Sequence, residues 1–202
     1  MNLQYDSQIR SWIQAHKEET LEDLCSLCRI PSVRGEAEEN APYGKECARA
    51  LKAAAAMFEK HGVFSKTEIN SRVDIILENY SKIIHIEALT LLDMMTKEVV
   101  PAISAYTDKL CTTLLNKNKI GGINSDGERE LIYRLSAAEK EIFALAEELK
   151  MTISTLDNIT DVYDKAVIYH DKVLKLMDDI RKYADSAESV VPASVWPYPS
   201  YG

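Results

Sequence analysis

The chain has 202 residues, of which 46% are hydrophobic and 28% are charged, and its formal net charge is −8. This length suffices for one ordinary domain or two small ones with a buried core. The acidic balance argues against nucleic acid or an anionic membrane as a partner. No apolar run approaches the roughly 18 residues that a membrane helix needs, and the N-terminal residues lack a signal-peptide layout. We therefore expect a cytoplasmic protein.

Two helices are predicted at the N-terminus. Apolar residues recur at helical spacing over residues 7–29, and Pro31 ends this pattern. Prolines and glycines mark residues 31–44 as a loop. A second helix is predicted over residues 45–61, with Gly62 ending it. Together these segments predict a short helical hairpin.

A third and longer helix is predicted to begin at Glu68, with Thr67 as its N-cap. Because it is apolar on more than one side, we expect it to be largely buried. Pro101 should kink or briefly break it, since the proline ring clashes with the preceding turn. The helix is then predicted to continue to residue 115 and to end in a glycine-containing loop over residues 116–127.

The residues from 128 to 191 include neither glycine nor proline, and Ser125 with Glu128 matches a capping box. Two seams repeat every seven residues, which is typical of coiled-coil-like packing. The first seam is Leu135, Ile142, Leu149, Leu156, Tyr163, His170, Met177 and Ala184. The companion seam is Leu131, Ala138, Leu145, Thr152, Ile159, Ala166, Val173 and Ile180.

Residues 151–161 are rich in β-branched and Asp or Asn residues, which lower helix propensity. Two alternatives follow: one helix of about 90 Å, or two collinear helices that part near this point. The tail, residues 190–202, has three prolines and several aromatic residues and should lie extended against a neighbouring surface. The predicted fold is all-α: an elongated helical bundle with long antiparallel, coiled-coil-like helices and the short N-terminal hairpin.

The four cysteines do not indicate a metal or redox site. Cys25 and Cys28 form a C-x-x-C near the end of a helix, where no helix N-terminus lowers the thiol pKa. Neither Cys47 nor Cys111 completes a zinc site at a suitable spacing. We interpret Cys25 and Cys28 as two thiols one turn apart on an apolar helix face.

The histidines and carboxylates also lack a catalytic pattern. His85 and Glu87 are two residues apart and face different sides of a helix, while His170 falls on the first seam as a register residue. The acidic run Asp171, Asp178 and Asp179 is predicted to be solvated. No nucleotide-binding, hydrolase or metalloprotease motif is present in the sequence. We therefore predict no catalytic residue, no cofactor-binding residue and no metal ligand.

The segment LEDLCSLCRIPSVRGEAEENAPYGKECARAL, residues 21–51, resembles the N-terminal part of PepV-like dinuclear-zinc dipeptidases. In that family a first helix ends in an R-I-P-S-V turn, and an A-P-[FY]-G loop leads into the second helix. The family's His-x-Asp zinc-binding stretch does not occur in this sequence, so no ligand is carried over. The resemblance assigns residues 1–56 to a dipeptidase-like helical segment.

Residues 57–202 resemble the C-terminal helical region of type III glutamine synthetases. Four stretches carry this resemblance: MFEKHGVFSKTEINSR (57–72), ENYSKIIHIEALTLLDMMTKEVVPA (78–102), ELIYRLSAAEKEIFALAEEL (130–149) and VWPYPSYG (195–202). In that family the glutamate metal ligands and the nucleotide-binding residues lie upstream, in the catalytic domain. The two resemblances together indicate a chimera that joins near residues 52–57.

The resemblances imply a non-catalytic helical domain that serves packing and oligomerisation. Its expected partners are further copies of the same chain or the missing catalytic domain. Two alternatives stay open: a fragment of an enzyme, either a glutamine synthetase (a glutamate–ammonia ligase) or a zinc dipeptidase, and a generic coiled-coil interaction module. Activity and metal content of the purified chain distinguish an enzyme from a scaffold.

Overall fold

The computed structural model describes residues 3–39 and 41–199, and the secondary structure of these residues is helical. An isolated bridge between Glu38 and Ala41 is the one strand-like pairing within those ranges. The all-α prediction is therefore confirmed. None of the helices in the described part of the chain is long and apolar enough to cross a membrane.

The chain divides into two compact units, residues 1–73 and 74–202. The boundary predicted at residues 56/57 rests on family resemblance rather than on compactness, and it stays a prediction. In the first unit, helix α1 (Leu3–Cys28) and helix α2 (Lys45–Lys60) form the expected hairpin. The Lys60 ammonium lies 2.7 Å from Asp23 and 2.9 Å from Glu19, so the two helices are joined by ion pairs near their C-terminal ends.

Helix α3 (Lys66–Met94) begins two residues earlier than predicted, and its cap is Ser65 rather than Thr67. The Ser65 Oγ accepts a hydrogen bond from the Glu68 N–H at 3.2 Å. The Glu68 carboxylate in turn accepts one from the Ser65 N–H at 2.7 Å. This reciprocal pair is a capping box, and it lowers the pKa of Glu68 because the backbone and side-chain donors of Ser65 favour the charged form.

The interruption predicted at Pro101 takes the form of a π-helical turn rather than a break. This first π turn, Met95–Val99, separates α3 from helix α4 (Val100–Ile120). The Val100 N–H donates to the Met95 carbonyl, five residues back, so the chain stays helical up to the residue before the proline. Helix α4 runs to Ile120, five residues beyond the predicted end, and Gly121 ends it with a φ of 77°.

Helix α5 (Asp126–Leu156) follows a short loop and packs antiparallel to α4. Ser104 bonds to Glu139 at 2.6 Å, and Lys117 bonds to Glu128 at 2.6 Å, which fixes the register of the pair. The Glu128 carboxylate binds Lys117 rather than the Ser125 N–H, and the Ser125 side chain makes no cap hydrogen bond. The capping box predicted for this helix is therefore wrong.

The long C-terminal run is neither one helix nor two collinear helices. Helix α5 ends at Leu156, and the Asp161 side chain caps helix α6 (Val162–Ile168) by accepting the Asp164 N–H at 2.9 Å. A second π turn, Tyr169–Val173, leads into helix α7 (Leu174–Glu188), which packs against α5. The chain reverses direction because the polar residues of the break favour caps and turns over helix.

The companion seam keeps its phase, whereas the first seam fails after Leu156 at Tyr163 and His170. In α5, the first-seam residues Leu135, Ile142, Leu149 and Leu156 are all buried. Beyond the break, the buried residues are Ala166, Tyr169, Val173, Leu176, Ile180, Ala184 and Ala187. At Tyr169 and Leu176 the core position lies three rather than four residues after the companion seam, which leaves Tyr163 and His170 exposed. The first-seam residue Ala184 is buried again. The predicted seam positions of Tyr163 and His170 are wrong.

The tail packs on the second unit, as predicted. Val191 and Trp196 belong to its buried core, and Tyr198 packs against that core. Burial and a hydrogen bond to Glu98 raise the pKa of Tyr198 to about 12. The last three residues of the predicted tail, 200–202, lie outside the described residues.

Candidate functional site

A cleft with a volume of about 530 Å³ lies in the second unit, beside the break between α5 and α6. Helix α3 supplies one wall, and the break, α6 and the second π turn supply the other. Volumes of this size are typical of small-ligand pockets. Its lining residues are Glu78, Ser81, Lys82, His85, Ile86, Asp157, Ile159, Thr160, Val162, Lys165 and Tyr169.

A hydrogen bond between His85 and Tyr169 joins the two walls. The His85 Nδ1 and the Tyr169 hydroxyl are 3.0 Å apart, and the two rings meet edge to face. Tyr169 is only 3% exposed, and this burial raises the pKa of its hydroxyl, with the Asp157 carboxylate acting in the same direction. The tyrosine is therefore a neutral hydrogen-bonding group at ordinary pH.

Ser81 is the most unusual polar group of the cleft. The residue is 5% exposed, and its Oγ has no hydrogen-bond partner within the described part of the chain. A buried hydroxyl without a partner costs free energy, so it requires an explanation. Ser81 and His85 are four residues apart on α3, which places both on the same face of the helix.

The charges of the cleft are only partly paired. Lys82 forms an ion pair with Glu78 at 3.1 Å. Lys165 and Asp157 form no ion pair with any residue that the structure describes, although both line the same cleft. One ammonium and one carboxylate are therefore free to interact with a bound molecule.

These groups support binding more readily than covalent chemistry. A nucleophilic serine needs a base within hydrogen-bonding distance, but the Ser81 Oγ is unpartnered and His85 bonds to Tyr169. Among residues 3–39 and 41–199, no group of three or more His, Cys, Asp and Glu side chains is placed to hold a metal ion.

The histidines and acidic residues singled out in the sequence lie in different places. His170 is exposed, and its Nδ1 lies 2.7 Å from the neighbouring Asp171. Asp179 pairs with Lys182 at 2.7 Å, and this ammonium lowers the pKa of Asp179. Only His85 enters the cleft, and Glu87 points elsewhere, as their spacing predicted.

The four cysteines are free thiols. Cys25 and Cys28 are exposed at the end of α1, on a helix whose apolar residues are also exposed in the first unit. The Cys47 thiol lies 3.4 Å from the Val33 carbonyl oxygen, and Cys111 is half-buried. The prediction that Cys25 and Cys28 are one turn apart near a helix end is confirmed.

Sequence reasoning identified none of Ser81, Asp157, Lys165 or Tyr169 as site residues. The spacing of Ser81 and His85 on one helix was the available signal. The contribution of Tyr169 was hidden, because the seven-residue repeat placed its neighbour His170 in the core.

A second feature is the solvent-facing side of α3, which carries five large aliphatic residues. We call this set the outer face: Ile75, Ile76, Ile83, Ile86 and Leu89. These residues are between 48% and 66% exposed, whereas Ile84 and Ala88 on the opposite side of the same helix are buried. The expectation that this helix is largely buried is wrong for this side.

The structure thus defines a class: an all-α helical domain with a small cleft and an uncovered apolar helix face. Comparison with known proteins then shows what it is similar to. Residues 45–118 match the model of the glutamine synthetase C-terminal domain. This match begins before residue 57, the predicted start of the glutamine synthetase-like region.

Three curated glutamine synthetases are similar to the chain. The glutamine synthetase of Butyrivibrio fibrisolvens is 35% identical over 147 residues, which are 72% of this chain and 21% of that protein. That of Bacteroides fragilis (strain YCH46) is 25% identical over 144 residues, 69% of this chain and 20% of the relative. The type-3 glutamine synthetase of Dictyostelium discoideum is 24% identical over 157 residues, 72% of this chain and 20% of the relative.

The chain therefore spans about a fifth of the length of the curated relatives that it matches. Its larger part is a helical domain that resembles the C-terminal region of type III glutamine synthetases, and this part of the predicted resemblance is confirmed. The dipeptidase-like resemblance of residues 1–56 is not shown by these comparisons, and residues 45–56 of that segment lie inside the glutamine synthetase match.

Proposed function

We propose that this chain is a non-catalytic helical domain that forms subunit contacts in an assembly of glutamine synthetase type. The observation that carries the proposal is the outer face of α3. Five large aliphatic side chains lie exposed on one side of a single helix. An apolar patch of this kind marks a protein–protein contact.

Covering the outer face contributes favourable free energy to association. Burying an aliphatic side chain fully is worth about 1.5–3 kcal/mol, and each of these residues is still about half exposed. The five together therefore offer several kcal/mol before the entropic cost of association. We propose a second copy of the chain as the occupant of this face.

The oligomeric state of the purified chain tests this proposal. We expect sedimentation velocity to show self-association that rises with concentration and that Ile83→Glu abolishes. The matched control is Ile120→Glu, because Ile120 is 74% exposed at the end of α4 and does not belong to the outer face. A chain that stays monomeric at every concentration would contradict self-association and would favour the missing catalytic domain as the occupant.

The rival function is that of an enzyme fragment, and it has its own test. The curated relatives are named as glutamine synthetases, but the chain corresponds to only a fifth of their length. We propose that the isolated chain has neither glutamine synthetase nor dipeptidase activity. Turnover by the purified chain with Mg²⁺, Mn²⁺ or Zn²⁺, surviving removal of host enzymes, would contradict this.

A cytoplasmic location is supported by the four free cysteines, since thiols persist in a reducing compartment.

The chimeric origin of residues 1–56 rests on the dipeptidase-like motifs alone. Sequencing the flanking DNA tests it, because an intact upstream frame encoding the catalytic part of a glutamine synthetase would contradict a natural fusion.

A further inference from the structure

The cleft of the second unit has features that the proposed packing role does not use. The exposed surface of its walls is largely apolar, and Ile86, Ile159, Val162 and the Tyr169 ring contribute to the lining. A packing element requires no such cavity.

The polar groups of the cleft constrain what it can hold. Lys165 offers an unpaired ammonium and Asp157 an unpaired carboxylate, while Lys82 and Glu78 neutralise each other. A simple anion would be attracted by Lys165 but repelled by Asp157. A simple cation would be attracted by Asp157 but repelled by Lys165. A molecule that carries both charges satisfies both groups.

The unpartnered hydroxyl of Ser81 provides an independent indication. It lies in the same cleft, nine-tenths or more buried, and it lacks a partner among the described residues. Buried polar groups in proteins are ordinarily satisfied by the protein, by water or by a ligand. The Ser81 Oγ is therefore a hydrogen-bonding group available to a bound molecule or to its bridging water.

We propose that this cleft binds a small zwitterion with an apolar body, chemically an α-amino acid with an aliphatic or aromatic side chain. Lys165 binds the carboxylate, Asp157 binds the ammonium group, and the apolar side chain packs between Ile86, Ile159 and the Tyr169 ring. The His85–Tyr169 hydrogen bond holds the two walls at the required separation.

Isothermal titration calorimetry of the full chain with L-phenylalanine as the probe tests the proposal. Two analogues separate the charges: 3-phenylpropionate lacks the ammonium group, and 2-phenylethylamine lacks the carboxylate. We expect saturable 1:1 binding of L-phenylalanine and at least about tenfold weaker binding of both analogues, since loss of a charged hydrogen bond costs roughly 1.5–3 kcal/mol.

Variants assign the two charges to their residues. Lys165→Met should weaken L-phenylalanine binding about tenfold without weakening 2-phenylethylamine binding. Asp157→Asn should weaken L-phenylalanine binding about tenfold without weakening 3-phenylpropionate binding. Lys175→Met is the matched control, because Lys175 is exposed on α7 and does not line the cleft. Thermal melts of each variant verify the fold.

Three results would overturn the inference. The first is no saturable binding of L-phenylalanine or L-leucine up to about 10 mM. The second is binding of both analogues as tight as that of L-phenylalanine, and the third is an unchanged affinity of both variants for L-phenylalanine. Ile86 belongs to both the cleft and the outer face, but the analogues and the Lys165 and Asp157 variants change charged groups that lie outside the outer face, whereas self-association is tested at Ile83. Failure of the cleft proposal is therefore distinguishable from failure of the proposed function.

Discussion

Tyr169 and His170 are sequence neighbours in the second π turn, and the structure places them in opposite environments. Tyr169 is 3% exposed and bonds to His85, whereas the side chain of His170 is 71% exposed. The seven-residue repeat predicts the reverse, with His170 in the core. Substituting each residue in turn therefore decides which phase the helix has in solution.

The expected free energies follow from burial. Tyr169→Ala removes a buried aromatic ring and should lower the free energy of unfolding by about 3–5 kcal/mol. Tyr169→Phe keeps the ring but removes the hydrogen bond to His85, which should cost about 1 kcal/mol. His170→Ala changes an exposed side chain and should stay within about 0.5 kcal/mol of the parent.

Urea denaturation followed by tryptophan fluorescence measures these differences. The chain has two tryptophans, Trp12 in the first unit and Trp196 in the core of the second. A Trp12→Phe background therefore makes the fluorescence report on the second unit alone. Equal m-values across the variants would show that only stability has changed.

The opposite ranking would refute the structural reasoning. If His170→Ala cost more than about 1 kcal/mol while Tyr169→Ala cost less, the seam would continue unbroken through the turn. In that case His170→Leu would also stabilise the chain, as expected for a histidine held in an apolar seam. We expect His170→Leu to leave the melting temperature unchanged.

Three other predictions concern the second unit. Trp196→Ala should destabilise it by about 3–5 kcal/mol in chemical denaturation, because the tail covers its core. Gly121→Ala should lower the free energy of unfolding by about 1 kcal/mol, since φ of Gly121 is 77°. Gly127→Ala within α5 should leave it unchanged or raise it by about 0.5 kcal/mol. The melting temperature of each variant, compared with that of the parent, measures these effects. Lys117 lowers the pKa of Glu128, so Glu128→Gln should be less stable than the parent at pH 7. This difference should shrink as the pH falls below the ordinary glutamate pKa and vanish below the lowered pKa of Glu128, where both side chains are uncharged. Unfolding curves at pH 7 and in acid that show a constant difference would contradict this.

The bounds of several elements were predictable because they depend on local backbone chemistry. Pro31 and Gly62 end the first two predicted helices close to the observed ends. The π turn lies just before Pro101, whose backbone nitrogen has no hydrogen to donate to a helical hydrogen bond. The burial of Leu135, Ile142, Leu149 and Leu156 was also predictable, since one apolar stripe on one helix has a single side that can face the core.

The candidate site was not predictable from the sequence. Ser81, His85 and Tyr169 are separated along the chain by as many as 88 residues, and their meeting depends on the chain reversal at residues 157–161. The outer face of α3 illustrates the same limit. Apolar patterning on two sides of a helix shows that both sides need cover, but it does not show which side the chain covers itself.

The sequence by itself determined that this protein is helical, where most of its helices begin and end, and that its larger part resembles the C-terminal region of type III glutamine synthetases. Only the tertiary structure decided that α7 folds back on α5, that Tyr169 rather than His170 enters the core, and that a cleft forms beside the break. The physical reason is that helix propensity and capping act within a few residues, whereas the direction of a chain after a break depends on which apolar surfaces can be buried together.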